Sequence, residues 1–289
     1  MGTKMNKRIS TIFLLTLITY SLSFIDNSRS SENNFPSFEP NTKDSSQSGR
    51  SYRKIENKAF GVGEELNFDV NYGFVTAGTA KMSIPASAKI FDRNCYQVVF
   101  TVESKPFFDW VYKVRDRYET YIDMEGLFPW KFEQHIREGG YKRDFYVTFD
   151  QERGIANTPD GNYTIPAFVQ DMFSAYYFAR TINYDGFRVG QKMMLKNFYK
   201  DSTYNLGVKF LGRQEIKVDA GRFKTIIVEP LITEGGLFKA TGRIFIWMTD
   251  DDRKMPVQVE AEIPIGSITS KLTSYKGTRG PVPARIGDK

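Results

Sequence analysis

The chain has 289 residues, with 40 Lys and Arg against 34 Asp and Glu and a formal net charge of +6. Residues 1–30 hold four basic residues and one acidic residue, so the rest carries only +3, too little for the dense basic face that nucleic-acid binding needs. A single cysteine, Cys95, excludes an intramolecular disulfide, and a single histidine, His135, excludes most zinc sites built from several imidazoles and thiolates. No cofactor or metal is therefore expected. The 24 Phe and 16 Tyr supply a sizeable core and favour strands over helices.

At the N-terminus, Lys4, Lys7 and Arg8 precede an apolar run from Thr11 to Ile25. A basic region followed by a run shorter than the roughly 20 residues that span a bilayer describes a Sec-type signal peptide over 1–25. The run has no cysteine, which excludes a lipoprotein anchor there. Residues 26–54 are rich in Ser and Asn and cannot bury enough apolar surface to offset chain entropy, so they read as a disordered linker. The folded part is expected over 55–276, followed by a Gly/Pro/Arg-rich flexible tail over 277–289.

Within the folded part, alternation of period two marks strands. Leu66, Phe68, Val70 and Tyr72 share one face; Phe145, Val147 and Phe149 share another; Val257, Val259, Ala261 and Ile263 alternate with Gln258, Glu260 and Glu262. Further strands are expected near 77–84, 95–104, 115–123, 130–138, 191–200, 203–213, 223–232, 241–249 and 267–276, separated by turn signals such as Glu138-Gly139-Gly140, Asp160-Gly161 and Asp219-Ala220-Gly221. One segment breaks the rhythm. Residues 170–182 lack Gly and Pro, place Phe173, Tyr176, Tyr177 and Arg180 at helical spacing, and offer Asp171 as N-cap. A helix that is apolar nearly all round packs onto a sheet. The expected fold is mostly β, an extended, strongly curved antiparallel sheet or open barrel with one packed central helix.

Three motifs carry a family resemblance. The opening Ala59-Phe60-Gly61-Val62-Gly63-Glu64-Glu65-Leu66-Asn67-Phe68, with Thr76-Ala77-Gly78-Thr79-Ala80, resembles the start of the DUF3108 domain. Gln170-Asp171-Met172-Phe173-Ser174-Ala175-Tyr176-Tyr177 is similar to that family's central helix. Trp247-Met248-Thr249-Asp250-Asp251-Asp252-Arg253-Lys254-Met255-Pro256-Val257, with the later Gly266-Ser267-Ile268, resembles its closing hairpin. The resemblance implies an exported bacterial envelope protein with a mostly β fold and no established reaction, hence no catalytic residues to transfer.

Candidate chemistry is sparse. Asp250, Asp251 and Asp252 lack the spacing of a calcium loop and read as the corner of a hairpin. Glu260 with Glu262, or Glu64 with Glu65, would serve a two-carboxylate hydrolase only if a second acid faced them across a cleft. Cys95 and His135 could act together only if the fold joined them. Gly61-Val62-Gly63 lacks the third glycine of a phosphate loop. Lys105-Pro106-Phe107-Phe108-Asp109-Trp110-Val111-Tyr112 reads either as a core-facing crossover or strand start, or as an apolar lip that binds a lipid-like ligand or meets a partner. Leu237-Phe238 beside Gly235-Gly236 reads as a hairpin tip.

The expectation is an exported, non-enzymatic binding or carrier module. A curved half-barrel with a helix across its opening resembles the lipoprotein-carrier architecture. Its ligand would be an envelope lipid, a glycan or a protein partner, with membrane contact only through an uncleaved N-terminal segment. The expected ligand-binding residues are Phe107, Phe108, Trp110, Tyr112, Arg115, Arg117 and Tyr177. The alternative is an envelope glycan or peptidoglycan hydrolase using paired carboxylates.

Overall fold

Alternation of buried and outward side chains shapes nearly every strand of the computed structural model, which describes residues 52–232 and 242–287. The expected signal peptide, most of the linker, the Leu237-Phe238 tip and the last two residues lie outside the described residues. The N-terminal half is a meander of β1 (Glu65–Tyr72), β2 (Val75–Ile90), β3 (Arg93–Ser104), β4 (Arg115–Asp123), β5 (Pro129–Glu138), β6 (Tyr141–Asp150), β7 (Ile155–Thr158) and β8 (Gly161–Thr164). A helix α1 (Pro106–Tyr112) interrupts it between β3 and β4. Helix α2 (Met172–Ala179) then leads to a second meander of β9 (Lys192–Tyr199), β10 (Ser202–Val218), β11 (Gly221–Ile232), β12 (Ile244–Thr249), β13 (Pro256–Glu262) and β14 (Ser267–Lys276), with a final short β15 (Arg285–Ile286).

Both meanders belong to one antiparallel sheet. The first and last long strands pair at its centre, so the order is β8-β7-β6-β5-β4-β3-β2-β1-β14-β13-β12-β11-β10-β9. The chain begins mid-sheet, walks to one edge, crosses through α2 to the other edge and walks back. Among the described residues no ladder joins β8 to β9, so the barrel stays open. The edges meet instead through rings, with Phe145 on Tyr199, Phe149 on Phe198 and Tyr163 on Phe198 at centroid distances of 6.3, 5.9 and 6.0 Å. No helix among the described residues is long and apolar enough to cross a membrane.

Helix α2 fills part of the barrel. Asp171 caps it, accepting from Phe173 N at 2.8 Å and Ser174 N at 3.0 Å, while Ser174 Oγ accepts from Asp171 N in return. The second Asp171 oxygen accepts from Thr120 Oγ1 of β4 at 2.6 Å, which fastens the cap to the sheet. Burial of Phe173 contributes about 1.5–3 kcal/mol and Phe173, Ser174, Ala175, Tyr177 and Ala179 are all buried, in keeping with the all-round apolar pattern. The helix is shorter than 170–182. Thr181 N and Ile182 N bond back three residues, to Phe178 O and Ala179 O, because Arg180 must turn inward.

Arg180 is completely buried and meets an equally buried Glu64, with Nη1 donating to Oε1 at 2.6 Å and Nη2 to Oε2 at 2.8 Å. Its remaining donors reach Ala59 O and Arg253 O, and its faces lie 5.2 and 5.1 Å from the ring centres of Phe60 and Tyr177.

Two segments depart from the sequence reading. Residues 106–112 form not a strand start but a short helix, none of whose residues is fully buried, with Phe108 and Tyr112 packed against the core. Pro106 at its first position sets the backbone, and Asp109 folds back to accept from Ser104 Oγ and from Arg115 Nη2, the latter at 2.6 Å. Residues 277–287, expected as a loose tail, are tied down. Gly277 has φ +66°, and a Cβ there would stand 1.9 Å from Gly63 O, so only glycine lets the chain pass the start of β1. Beyond it Arg279 donates to Phe60 O, Ala284 is buried, Lys224 N donates to Ala284 O at 2.8 Å and β15 pairs with β11.

The aspartate corner holds this tail. Asp251 Oδ1 accepts from Thr249 Oγ1, Arg253 N and Lys254 N, and Asp251 Oδ2 accepts from Ala284 N at 3.0 Å. Replacing Asp251 by Ala should cost about 1–3 kcal/mol through unmet donors and should speed hydrogen exchange at Ala284 and Lys224; unchanged exchange there would contradict the tether. Arg180→Met should cost about 3–5 kcal/mol in guanidinium denaturation because Glu64 is left buried and uncompensated. The double variant Glu64→Leu/Arg180→Met should lose less than this single one.

Candidate functional site

Above the helix, between the two meanders, lies a cavity of about 200 Å3. Its wall draws Phe68, Met82, Phe100 and Val102 from β1, β2 and β3, and Phe173, Ala175 and Tyr176 from α2. The second meander adds Leu206, Val208, Val228, Ile244, Ile246 and Val259. Even-numbered positions on β12 and on β10 point the same way because strand side chains alternate, so Ile244, Ile246 and Met248 come together without being adjacent in sequence. Pro230, Ile246, Val259 and Ser270 are only half-buried, so the cavity communicates with solvent on the side of the second meander.

The polar groups on the wall gather at β4 and β9. Asp116, Tyr118, Asn197 and Tyr199 line the cavity, with Ser270 apart from them. Tyr118 stands opposite Gln134 in the β4–β5 register, yet neither its hydroxyl nor the Gln134 amide has a well-formed hydrogen-bond partner; the Tyr176 hydroxyl is likewise buried and unpartnered. Arg143 Nη1 donates to the Tyr199 hydroxyl at 3.1 Å. Asp116 is buried; its Oδ1 accepts from Arg137 N at 2.9 Å, and its carboxyl hydrogen-bonds Glu138. Burial pushes the Asp116 carboxyl above the ordinary carboxylate range, against the pull of the Arg137 N–H and the Glu138 bond. Burial likewise holds the Tyr118 phenol far above its usual range, so it stays neutral and able to donate.

None of the seven residues singled out from sequence lines this cavity. Phe107 and Trp110 are 73% and 79% exposed on α1, while Phe108 and Tyr112 pack against the core from the same helix. The Tyr112 phenol is pushed up to about 12 by burial and by Glu138 beside it. Arg115 and Arg117 sit on the opposite face of β4 from Asp116. Arg115 pairs with Asp109, and Arg117 donates to Glu119 Oε1 at 2.8 Å. Tyr177 is fully buried, edge-on to Phe60 at 4.7 Å. The segment 105–112 therefore splits, with one side on the core and the other in solvent.

The residues that do line the wall were partly within reach. Asp116 shares strand parity with Tyr118, Thr120 and Ile122, which are all buried, and that parity marks it as inward-facing. Nothing in the sequence shows that Tyr199 and Ile244 face β4 across the barrel.

The other candidates resolve into structural parts. Cys95 is buried with Phe128 and Trp130, and burial raises its thiol to about 12, whereas His135 lies partly exposed on β5 with Nδ1 2.7 Å from Asp144. Glu64 is committed to Arg180, and Glu65 to Lys81 and Lys276. One pair of acids does converge, Asp116 with Glu138. Because these two bond each other directly, they lack the roughly 5–10 Å gap that a glycosidase keeps between its carboxyls. Among the described residues no group of three or more His, Cys, Asp or Glu is arranged to hold a metal ion.

Comparisons with known proteins bear on the whole domain. No curated protein matches the sequence. A solved β-barrel-like protein of a domain of unknown function, DUF1849, from Brucella abortus is similar at 10% identity over 74% of this chain and 97% of that one, with a TM-score of 0.49. A lipoprotein candidate from Parabacteroides distasonis covers 78% of this chain and 100% of its own at 11% identity, with a TM-score of 0.34. An exported-protein candidate with a YmcC-like fold from Bacteroides fragilis gives the same coverage at 12% identity and a TM-score of 0.35. The family model described as a protein of unknown function, DUF3108, matches residues 67–273, from β1 through most of β14, and the chain belongs to that family.

Proposed function

We propose that this protein is an exported, non-enzymatic binding module of the bacterial envelope whose open barrel holds the hydrocarbon part of an envelope amphiphile. The cavity carries this reading. Protein interiors are packed to crystal-like density with few voids larger than a water molecule, and an apolar void of roughly 150 Å3 stays dry and takes up benzene. This one is larger, at about 200 Å3, and its wall is apolar except for one corner. A hydrocarbon seated against this apolar wall makes dispersion contacts over its whole surface and leaves water in doing so. A glycan fits the wall poorly, because its hydroxyls would meet few partners there.

The polar corner suits a single acceptor group at one end of such a ligand. The neutral Tyr118 hydroxyl is a buried donor on the cavity wall, held by no more than a loose contact with Gln134, and the buried Asp116 carboxyl lies on the same wall. An ester or carboxyl oxygen fits the Tyr118 donor. The basic and then apolar N-terminal segment supports export.

Mass spectrometry of protein recovered from its native envelope should find a bound lipid or fatty acid. Ala80→Phe, which fills the cavity from β2, should abolish uptake of a fluorescent acyl probe while leaving the unfolding midpoint unchanged or raised. Tyr118→Phe should weaken uptake of a carboxyl-ended probe by roughly three- to tenfold, the worth of one hydrogen bond. Absence of lipid together with equal probe binding by Ala80→Phe would overturn the reading.

The burial of Asp116 gives a pH dependence. Its folded pKa lies above the unfolded one, so its contribution to stability is present at low pH and is lost as pH rises through the folded value. Asp116→Asn keeps an acceptor for Arg137 N and cannot ionise. Its thermal midpoint should exceed that of the wild type at pH 8, with the gap closing towards pH 3; a gap independent of pH would contradict the buried-proton account.

A further inference from the structure

The register of the strands sorts the turns onto two ends of the barrel. The β1–β2 turn, helix α1, the β5–β6 turn and the β13–β14 turn share one end, since Tyr72 pairs with Ile268, Gly78 with Ser104, and Val114 with Glu138. In the sheet order β6-β5-β4-β3-β2-β1-β14-β13 these four connections are consecutive, so they form one unbroken arc of rim. The cavity reaches the same end: Val102, Asp116, Tyr199, Pro230 and Ile244 each lie at or within two residues of a strand terminus there.

That arc is apolar at its tips. Phe74, at 107%, and Val75, at 51%, project from the β1–β2 turn, and Ile265, at 58%, from the β13–β14 turn. Helix α1 adds Phe107, Trp110 and Val111, and Tyr141 stands at the β5–β6 turn. These are seven of the twelve large exposed apolar side chains among the described residues, gathered on four of the connections. Two further described turns at the same end, β7–β8 and β9–β10, carry Pro159-Asp160 and Lys200-Asp201, which marks the apolar stretch as an arc and not a general property of turns; the β11–β12 connection lies outside the described residues. At the opposite end Phe91 and Val62 are exposed, beside the charged Asp250–Lys254 corner.

We infer that this rim docks on an anionic phospholipid bilayer, with Trp110, Phe107, Phe74 and Ile265 entering the interfacial layer. The rings stand on separate projecting turns and not on one continuous face, which suits a soft layer that closes around each tip better than a rigid partner. Trp and Phe favour the membrane interface because an apolar body can enter while the polar parts stay wet. The exposed Lys113 and Lys142 flank the tips, and three of the acids near them are paired: Asp109 with Arg115, Asp69 with Lys105, and Asp144 with Arg137. The sequence pointed to membrane contact only through the N-terminal segment; the rim is a second, independent contact. The inference goes beyond ligand binding and does not require an occupied cavity.

The test is quenching of Trp110 by vesicles of phosphatidylglycerol carrying brominated acyl chains, using protein recovered from the native envelope. The Trp110 signal is the emission that Trp110→Phe removes, so a membrane-bound N-terminus alone would not produce quenching. The docking rim predicts quenching of that signal, about tenfold weaker partition on replacing Phe74 or Phe107 by Ser, weaker binding to phosphatidylcholine, and no change for Phe91→Ser at the other end. Absence of quenching, or equal loss with Phe91→Ser, would overturn it. So would a dimer in solution that the Phe107→Ser variant dissolves, which would assign the rim to a second copy of the chain. Failure of the unaltered protein to take up the acyl probe, with quenching intact, would instead count against the cavity reading alone.

Discussion

The Arg180–Glu64 pair is the constraint on which the rest of the structure hangs. Arg180 is the largest fully buried side chain among the described residues, and its guanidinium donates to acceptors on two separate pieces of chain: the Glu64 carboxylate and Ala59 O in the segment entering β1, and Arg253 O at the β12–β13 corner. A well-packed apolar pair could often match such a bridge in stability. Position is what the pair supplies. Its planar fork accepts one arrangement, and that arrangement holds the last turn of α2 at the seam where β1 meets β14.

With its C-terminus fixed there and its cap bonded to Thr120, the helix has both ends determined. It lies across one half of the barrel and leaves the other half to the strands. The two meanders curve around a space wider than the side chains facing it, and the cavity is what remains. Tyr118, Tyr199 and Asp116 stand at its edge because β4 and β9 are the strands between which the capped end of the helix sits, linked by the Gln170–Asn197 bridge.

Much of this was legible in the residues. Period-two alternation located the long strands because one face of each is buried, and 115–123 and 267–276 match the observed strands residue for residue. The all-round apolar pattern and Asp171 located the helix. Four-residue strands such as β7 and β8 carry too few alternations to stand out from the turn between them. The tail was misread because composition records neither a neighbouring carboxylate like Asp251 nor the closeness of Gly63 to Gly277. The cavity was out of reach for a related reason. Its wall joins Phe100 to Val208 and Met82 to Ile246, pairs far apart in the chain whose meeting depends on how the sheet curls. The exposed rings of α1, by contrast, were visible as a feature but not as a direction. Phe107 and Trp110 face solvent because Pro106 starts a helix, where a strand would have turned alternate rings inward.

The curl itself is held in an unusual currency for a β protein. Between β8 and β9 the closing contacts are the rings of Phe145, Phe149, Tyr163, Phe198 and Tyr199, not a ladder of backbone hydrogen bonds. Ladder bonds fix register and spacing, whereas ring contacts are non-directional and tolerate sliding. The edges are kept from pairing with other chains by the brevity of β8 and by Lys192 and Lys196 exposed on β9. One end of the molecule is thus locked by Arg180, Asp251 and the docked tail. The girth at the cavity is set by these rings together with a few hydrogen bonds, from Arg143 Nη1 to the Tyr199 hydroxyl and between the Gln170 backbone and β9. Far fewer backbone bonds hold this seam than hold the long ladders beside it, so the seam is where the curl of the sheet is least constrained.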